Sequence, residues 1–239
     1  MSSIKIIFSA LVFSLLTLAV LPCWAEGWCG VEEPDPSQEF AISPFLVVDL
    51  NPETRKPNLW SFEDRMRITY CIADSFREHK AKMIRMMEIA TGDWEASAHV
   101  KFIYHPEEDS RCDQNNENVV FNLRLVRSKR VPFKARAFFP YNPRVDRQVQ
   151  VRIDVMEERE EQSLGILTHE LGHVLGFRHE HIHPDIKDPC TSEGNPFDPI
   201  TDYDPSSVMH YARCDGAPGA GLRISEKDRI GAQILYPRP

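Results

Sequence analysis

The chain has 239 residues, 42% of them hydrophobic, which is enough to bury one sizeable core with at most a small appendage. A formal net charge of -8 and the lack of a long basic patch exclude nucleic acid as the natural partner. No internal repeat or low-complexity tract is present.

Residues 1–25 have the form of a secretory signal: Lys5 gives a positive start, an apolar run follows over 6–21, and Cys23-Trp24-Ala25 supplies a small-x-small cleavage site. The alternative is an uncleaved anchor, but the run carries Ser9, Ser14 and Thr17 and falls short of the ~20 residues a spanning helix needs. A lipoprotein reading of Cys23 is weaker, because Pro22 stands where a small residue is required. Export leaves Cys29, Cys71, Cys112, Cys190 and Cys214 in an oxidising compartment, where thiols normally pair and an odd count leaves one over. Cys190 with Cys214 and Cys71 with Cys112 are the expected pairs, although four cysteines allow three connectivities.

Residues 26–59 contain Pro34, Pro36, Pro44, Pro52 and Pro57 and little periodicity, so they read as an extended leader rather than a domain. From Trp60 the pattern becomes that of an α/β domain spanning 60–239. Alternation at Ile68, Tyr70 and Ile72 predicts a strand over 67–72. Phe76, Met83, Met87, Ala90 and Trp94 follow at helical spacing and mark a stripe of core packing. Further strands are expected over 100–104, 119–126 and 148–155, with a shorter one over 135–139 that ends at Pro140 and suits a sheet edge. A helix should start near Glu158, since Glu157, Glu158, Glu160 and Glu161 crowd its first turn and complement the helix dipole. Residues 184–205 read as loop, and Ser225 with Asp228 forms a capping pattern that opens a last helix to about Leu235.

The chemistry is concentrated in His169-Glu170-Leu171-Gly172-His173-Val174-Leu175-Gly176-Phe177-Arg178-His179-Glu180. His169 and His173 lie four apart, so on a helix both imidazoles leave one face a turn apart, as two ligands of a tetrahedral Zn²⁺ require. Glu170 can reach a water at that metal without being a ligand. His179 is off that face unless the helix stops, and Gly176 can take the left-handed conformation that ends it and turns the chain back. Three ligands leave a fourth position open, the mark of a catalytic site. Five fixed positions at roughly one in twenty each give a chance match odds of about one in ten thousand in a chain this long, so ordinary surface histidines are a poor explanation.

This signature, followed by Ser207-Val208-Met209-His210-Tyr211, resembles that of the metzincin metallopeptidases. Gly-Phe-x-His-Glu at 176–180 and Ser-x-Met-His-Tyr at 207–211 bring it closest to the astacin-like branch, over about 60–239. The continuation His181-Ile182-His183-Pro184 departs from the Arg- and Asp-rich text of the animal enzymes, and His181 and His183 read as loop residues. The resemblance implies an α/β (α+β) fold: a twisted, mostly parallel five-stranded sheet with one antiparallel edge strand, an active-site helix and a C-terminal helix. It implies Zn²⁺ held by His169, His173 and His179, with Met209 as an apolar floor. It further implies Glu170 as general base on a zinc-bound water, Tyr211 as a loose fifth ligand that steadies the intermediate, and Glu180 as an anchor for the mature N-terminus. The function implied is a secreted or periplasmic zinc endopeptidase, monomeric, acting on protein or peptide, with no stable membrane association once the signal is removed. The alternatives are a catalytically silent zinc-containing binding protein of the same fold and a zinc hydrolase of a non-protein amide. Retention of both Glu170 and Tyr211 speaks against the silent protein.

Three features of the leader bear on latency. Trp28-Cys29-Gly30-Val31 resembles the Cys-Gly-Val core of the matrixin cysteine switch, in which a thiolate fills the open zinc position; the plainer reading is a thiol that is spare or paired elsewhere. Astacin-like zymogens use an aspartate instead, for which Asp49 is a weaker candidate. Arg55-Lys56 is the basic pair at which an activating cut is expected.

Overall fold

Met83, Met87, Ala90 and Trp94 are fully buried along one face of helix α1 (Lys80–Ser97), the stripe expected from their spacing, and Met86 is buried beside them. Phe76 is buried with them but sits in a 3-10 turn, Asp74–His79, ahead of the helix. These positions come from a computed structural model that describes residues 47–186, 193–194, 196–211, 213–214, 216–218 and 220–239. The expected signal, Cys29 and Cys190 lie outside the described residues.

The face of α1 packs against α3 (Glu160–Val174) and the core sheet. That sheet is formed by β2 (Ile68–Ile72), β3 (Phe102–Tyr104), β4 (Phe121–Val126), β5 (Ala135–Arg136) and β6 (Gln148–Arg152), in the order β3-β2-β4-β6-β5. All neighbours are parallel except β5, which runs antiparallel to β6 at the edge, with Ala135 opposite Val151. This is the expected fold class. Parallel strands covered by helices are buried and need bulky apolar side chains. Here Tyr104, Tyr70, Phe121 and Phe138 form a continuous ladder, with ring centroids 5.4, 5.4 and 5.6 Å apart in turn. Such aromatic pairs are worth roughly 0.5–1.5 kcal/mol each beyond the area they bury.

Two expected strands end early and two strands are new. β6 stops at Arg152, and α2 (Ile153–Glu157) takes up residues expected to extend the strand. The edge strand pairs only at Ala135 and Arg136, and residues 137–139 continue outside the ladder. β1 (Val47–Asp49) pairs antiparallel with β7 (Phe197–Pro199), in stretches read as leader and loop. Val47, Val48 and Leu50 are buried, so residues grouped with the leader pack into the domain. After them an exposed turn closes through the Asn51 amide donating to the Lys56 carbonyl (3.0 Å), and Arg55 lies within it.

The last helix, α4 (Glu226–Leu235), begins with the expected capping box, Ser225 and Asp228 exchanging bonds. Asp228 also accepts from the Ser207 hydroxyl (2.6 Å) and the Val208 amide (2.8 Å). The helix cap therefore also holds the turn that carries Met209.

Cys71 on β2 is bonded to Cys112, 41 residues on, and both are buried with Val119. Cys214 is disulfide-bonded as well, while its expected partner Cys190 lies outside the described residues. Chain-entropy reasoning makes a cross-link of that span worth about 2–4 kcal/mol. Replacing both Cys71 and Cys112 by alanine should lower unfolding free energy by that amount in a denaturant titration. A change below about 0.5 kcal/mol would show that residual structure in the unfolded chain cancels the effect.

Candidate metal centre and active site

α3 is buried from Gly165 to Val174 and ends as its sequence requires. Gly176 has φ +96°. Its amide donates to the His173 carbonyl (2.8 Å), and the Phe177 amide donates to the Gly172 carbonyl (2.9 Å), the crossed pair of a left-handed helix stop. The last carbonyls are satisfied from outside the helix. The Trp60 indole donates to Val174 (2.8 Å) and the Tyr236 hydroxyl to Leu175 (2.7 Å). A side chain at 176 is excluded twice, because a Cβ there would lie 2.4 Å from the Asn58 carbonyl oxygen.

The reversed chain brings His179 back over the helix. His173 Nε2 lies 3.1 Å from His169 Nε2 and 3.2 Å from His179 Nε2. Imidazole nitrogens held tetrahedrally at about 2.0–2.1 Å from one zinc ion stand roughly 3.3–3.4 Å apart, close to this spacing. The other ring nitrogens are all engaged. His169 Nδ1 donates to the Val208 carbonyl (2.8 Å) and His173 Nδ1 to the Phe177 carbonyl (2.7 Å). A carbonyl only accepts, so the proton sits on Nδ1 and the Nε2 lone pair faces the common centre. Burial lowers the His169 pKa to about 3 and holds that of His173 well below the usual histidine value, with the neighbouring imidazoles adding to the effect. Both rings are kept neutral, the form a metal needs. The three residues fit a metal ion.

The support of His179 was not legible in the sequence. Its Nδ1 is in close contact with Glu193 Oε1, while Glu193 Oε2 accepts from Arg178 Nε (2.9 Å) and Nη2 (2.7 Å). Burial works against ionisation of Glu193, yet His179 and Arg178 hold its carboxyl well below the ordinary range. Arg178 is fully buried and also pairs with Asp49 on β1, Nη1 to Oδ1 3.1 Å. Asp49, the weaker candidate for a switch on the metal, is thus turned to Arg178 and Asn58 instead. Burial raises its pKa to about 6 even against the pull of the guanidinium.

Below the histidines, Met209 is fully buried. A Cβ at Gly172 would lie 2.3 Å from its sulfur and 3.2 Å from the Trp94 ring, so the glycine inside the His-Glu-x-x-His text makes room for the methionine. Tyr211 flanks the triad, its ring centroid 4.5 Å from His179 and 5.7 Å from His169. His181 stacks on Tyr211 at 4.7 Å and on His179 at 5.1 Å. His181 and His183, read as loop residues, are both buried, with 0% and 1% of their surface exposed. His210 is held by the Tyr203 hydroxyl (2.7 Å). Glu170, next to His169, is fully buried. One Glu180 oxygen accepts from the Asp204 amide (2.7 Å), and the other has no partner among the described residues. Burial pushes this carboxyl well above the usual range. On the far side, the Phe139 ring meets His173 edge-on at 5.6 Å, placing the end of the edge segment beside the triad.

A five-stranded sheet with one antiparallel edge, a long helix carrying two histidines, a glycine turn delivering the third and a buried methionine beneath them make up the arrangement that the sequence resemblance to the astacin-like metzincins implies. The particular likenesses are these. Two solved structures of myroilysin match with a TM-score of 0.52 each, one at 17% identity over 81% of this chain and 99% of that one, the other at 14% over 92% and 94%. At such identity the likeness is one of fold. In sequence, the dorsal-ventral patterning protein tolloid of Drosophila melanogaster is 38% identical over 112 residues, covering 31% of this chain. The match spans 10% of tolloid's own length. No protein-family model matches the sequence.

Proposed function

We propose that the chain is a secreted zinc endopeptidase, with His169, His173 and His179 holding the ion, Glu170 as the base and Tyr211 as a hydrogen-bond donor in the transition state. The observation that carries the proposal is the convergence of three Nε2 atoms whose Nδ1 partners are all engaged. A zinc ion bound there supplies Lewis acidity, making a water acidic and polarising the scissile carbonyl. Glu170, beside His169 and shut away from bulk solvent, takes the proton of the attacking water and passes it to the leaving amine. The Tyr211 hydroxyl is the donor for the oxyanion that develops as the carbonyl carbon becomes tetrahedral. A peptide lying antiparallel to the edge segment 135–139 would gain main-chain hydrogen bonds from it, with selectivity left to pockets for its side chains. Phe139 at the end of that segment brings the peptide beside His173.

Secretion, removal of 1–25, a short prosegment before the catalytic domain and any latency through Cys29 are parts of the same proposal that rest on the sequence alone. No helix among the described residues is long and apolar enough to cross a membrane. The deciding experiment is hydrolysis of casein or gelatin by the purified chain, abolished by a zinc chelator and restored by added zinc. In parallel, elemental analysis of the wild type should give one zinc per chain and His179→Ala should lose it. Undiminished zinc in His179→Ala would sink the three-ligand reading, and a zinc-loaded wild type inert on every peptide would sink the peptidase.

A further inference from the structure

Glu193 lies fourteen residues beyond His179 in sequence and belongs to neither motif. We infer that Glu193 is a positioning residue for the third metal ligand and that the buried guanidinium of Arg178 holds it in place by joining it to Asp49 on β1. This rests on the zinc reading above.

The two oxygens of Glu193 divide their work: Oε1 meets His179 Nδ1, and Oε2 takes two bonds from Arg178. A carboxylate behind an imidazole fixes its tautomer and ring plane and makes the other nitrogen a stronger donor to metal. His169 and His173 have only neutral carbonyls at that position, so Glu193 is what distinguishes the third ligand. Charge gives a second argument. Asp49, Arg178 and Glu193 sum to one negative charge in a buried setting, and three neutral imidazoles would hold a dication without compensating it. Negative charge placed one ring away lowers the cost of binding that dication in a medium of low polarity.

Arg178 cannot drift. Both its ends are paired with carboxylates, and the backbone around it is clamped to β1. The Arg178 amide donates to the Val47 carbonyl (2.7 Å), the Asp49 amide donates to the Gly176 carbonyl (2.9 Å), and Val48 bridges to Phe177. The turn that delivers His179 is therefore held by β1 through backbone bonds and by Asp49 through charge. His179, His181 and Glu193 also lie close enough to suggest a second metal site. The direct contact of Glu193 Oε1 with His179 Nδ1 leaves no room for an ion between those two atoms, which argues for support of one metal rather than ligation of two.

The test uses the whole purified chain, with zinc affinity measured by chelator competition and the Co²⁺ derivative followed by its visible absorption. Wild type should hold one metal. Glu193→Gln, which keeps shape but not charge, should lower zinc affinity about 10–100-fold and shift the Co²⁺ bands, with the circular dichroism of the folded chain unchanged. Asp49→Asn should act in the same direction more weakly. Asp49→Asn combined with Glu193→Gln should fall no further than about twofold below Glu193→Gln alone, because both act through one chain of contacts. If Glu193→Gln does not fold, Glu193→Asp, which withdraws the carboxylate by one methylene, should show the same loss. Wild-type affinity with unshifted Co²⁺ bands in the folded Glu193 variant would overturn the inference. Two metals in the wild type with one lost from Glu193→Gln would overturn it in favour of ligation. A wild type that binds no zinc would instead remove the zinc reading beneath it.

Discussion

Glu170→Gln should leave zinc content at the wild-type level while turnover falls about 10²–10⁴-fold, the range that general acid–base catalysis is typically worth. The substitution preserves volume and one hydrogen-bonding oxygen, so a residue with 0% of its surface exposed is replaced without a cavity. It removes the one property the reaction needs, the capacity to take a proton from water and give it back. The metal should stay because the three imidazoles and their Nδ1 partners do not include Glu170. Paired zinc analysis and peptidase assay make the check. Activity within a few-fold of wild type would mean that another group activates the water.

The second large effect is expected at Gly176. Gly176→Ala asks alanine to adopt φ +96° and puts a methyl group 2.4 Å from the Asn58 carbonyl oxygen. Backbone strain of this kind costs about 1–3 kcal/mol and overpacking about 1–3 more. Because the obstacle is backbone, no rotamer change can relieve it. The expected destabilisation of about 2–6 kcal/mol corresponds to a midpoint lowered by about 4–24 °C in thermal unfolding, at roughly 2–4 °C per kcal/mol for a domain of this size. The loss should persist in chelator, since the clash does not depend on metal, and zinc affinity should fall with it as His179 is displaced. A variant as stable as wild type would show that the turn after α3 can be rebuilt without a left-handed residue.

The motif could be read from residues alone because its geometry is local. A spacing of four puts His169 and His173 on one helix face, and a glycine three further on ends the helix with the crossed bonds now seen at Gly176 and Phe177. The sheet was legible where strands alternate, as at Ile68, Tyr70 and Ile72. It was misread at Ile153, where the apolar pattern of β6 runs on into a helical turn that periodicity over so few residues cannot tell from strand. β1 and β7 escaped because three-residue strands among prolines have no periodicity, and their pairing joins segments about 150 residues apart. Asp49 drew notice as a possible switch because an acidic residue after an apolar run says nothing of its partner, which here is Arg178. Glu193 had no signature at all. A carboxylate in a loop becomes a support for His179 only when the chain folds it there. His181 and His183 were set aside as loop residues on composition, and their burial depends on Tyr211 and Tyr203 packing over them.

The ion pair between Asp49 and Arg178 closes over 129 residues. His169 and His173, by contrast, are brought together by a single helical turn, and an isolated helix could present both. Contacts of long sequence span repay their closure entropy only after most of the chain has collapsed. His169 and His173 are therefore brought together as soon as α3 forms, whereas His179 waits for β1 to dock. On the proposed zinc reading, tight metal capture is thereby tied to completion of the fold, and a half-folded chain lacks the complete site.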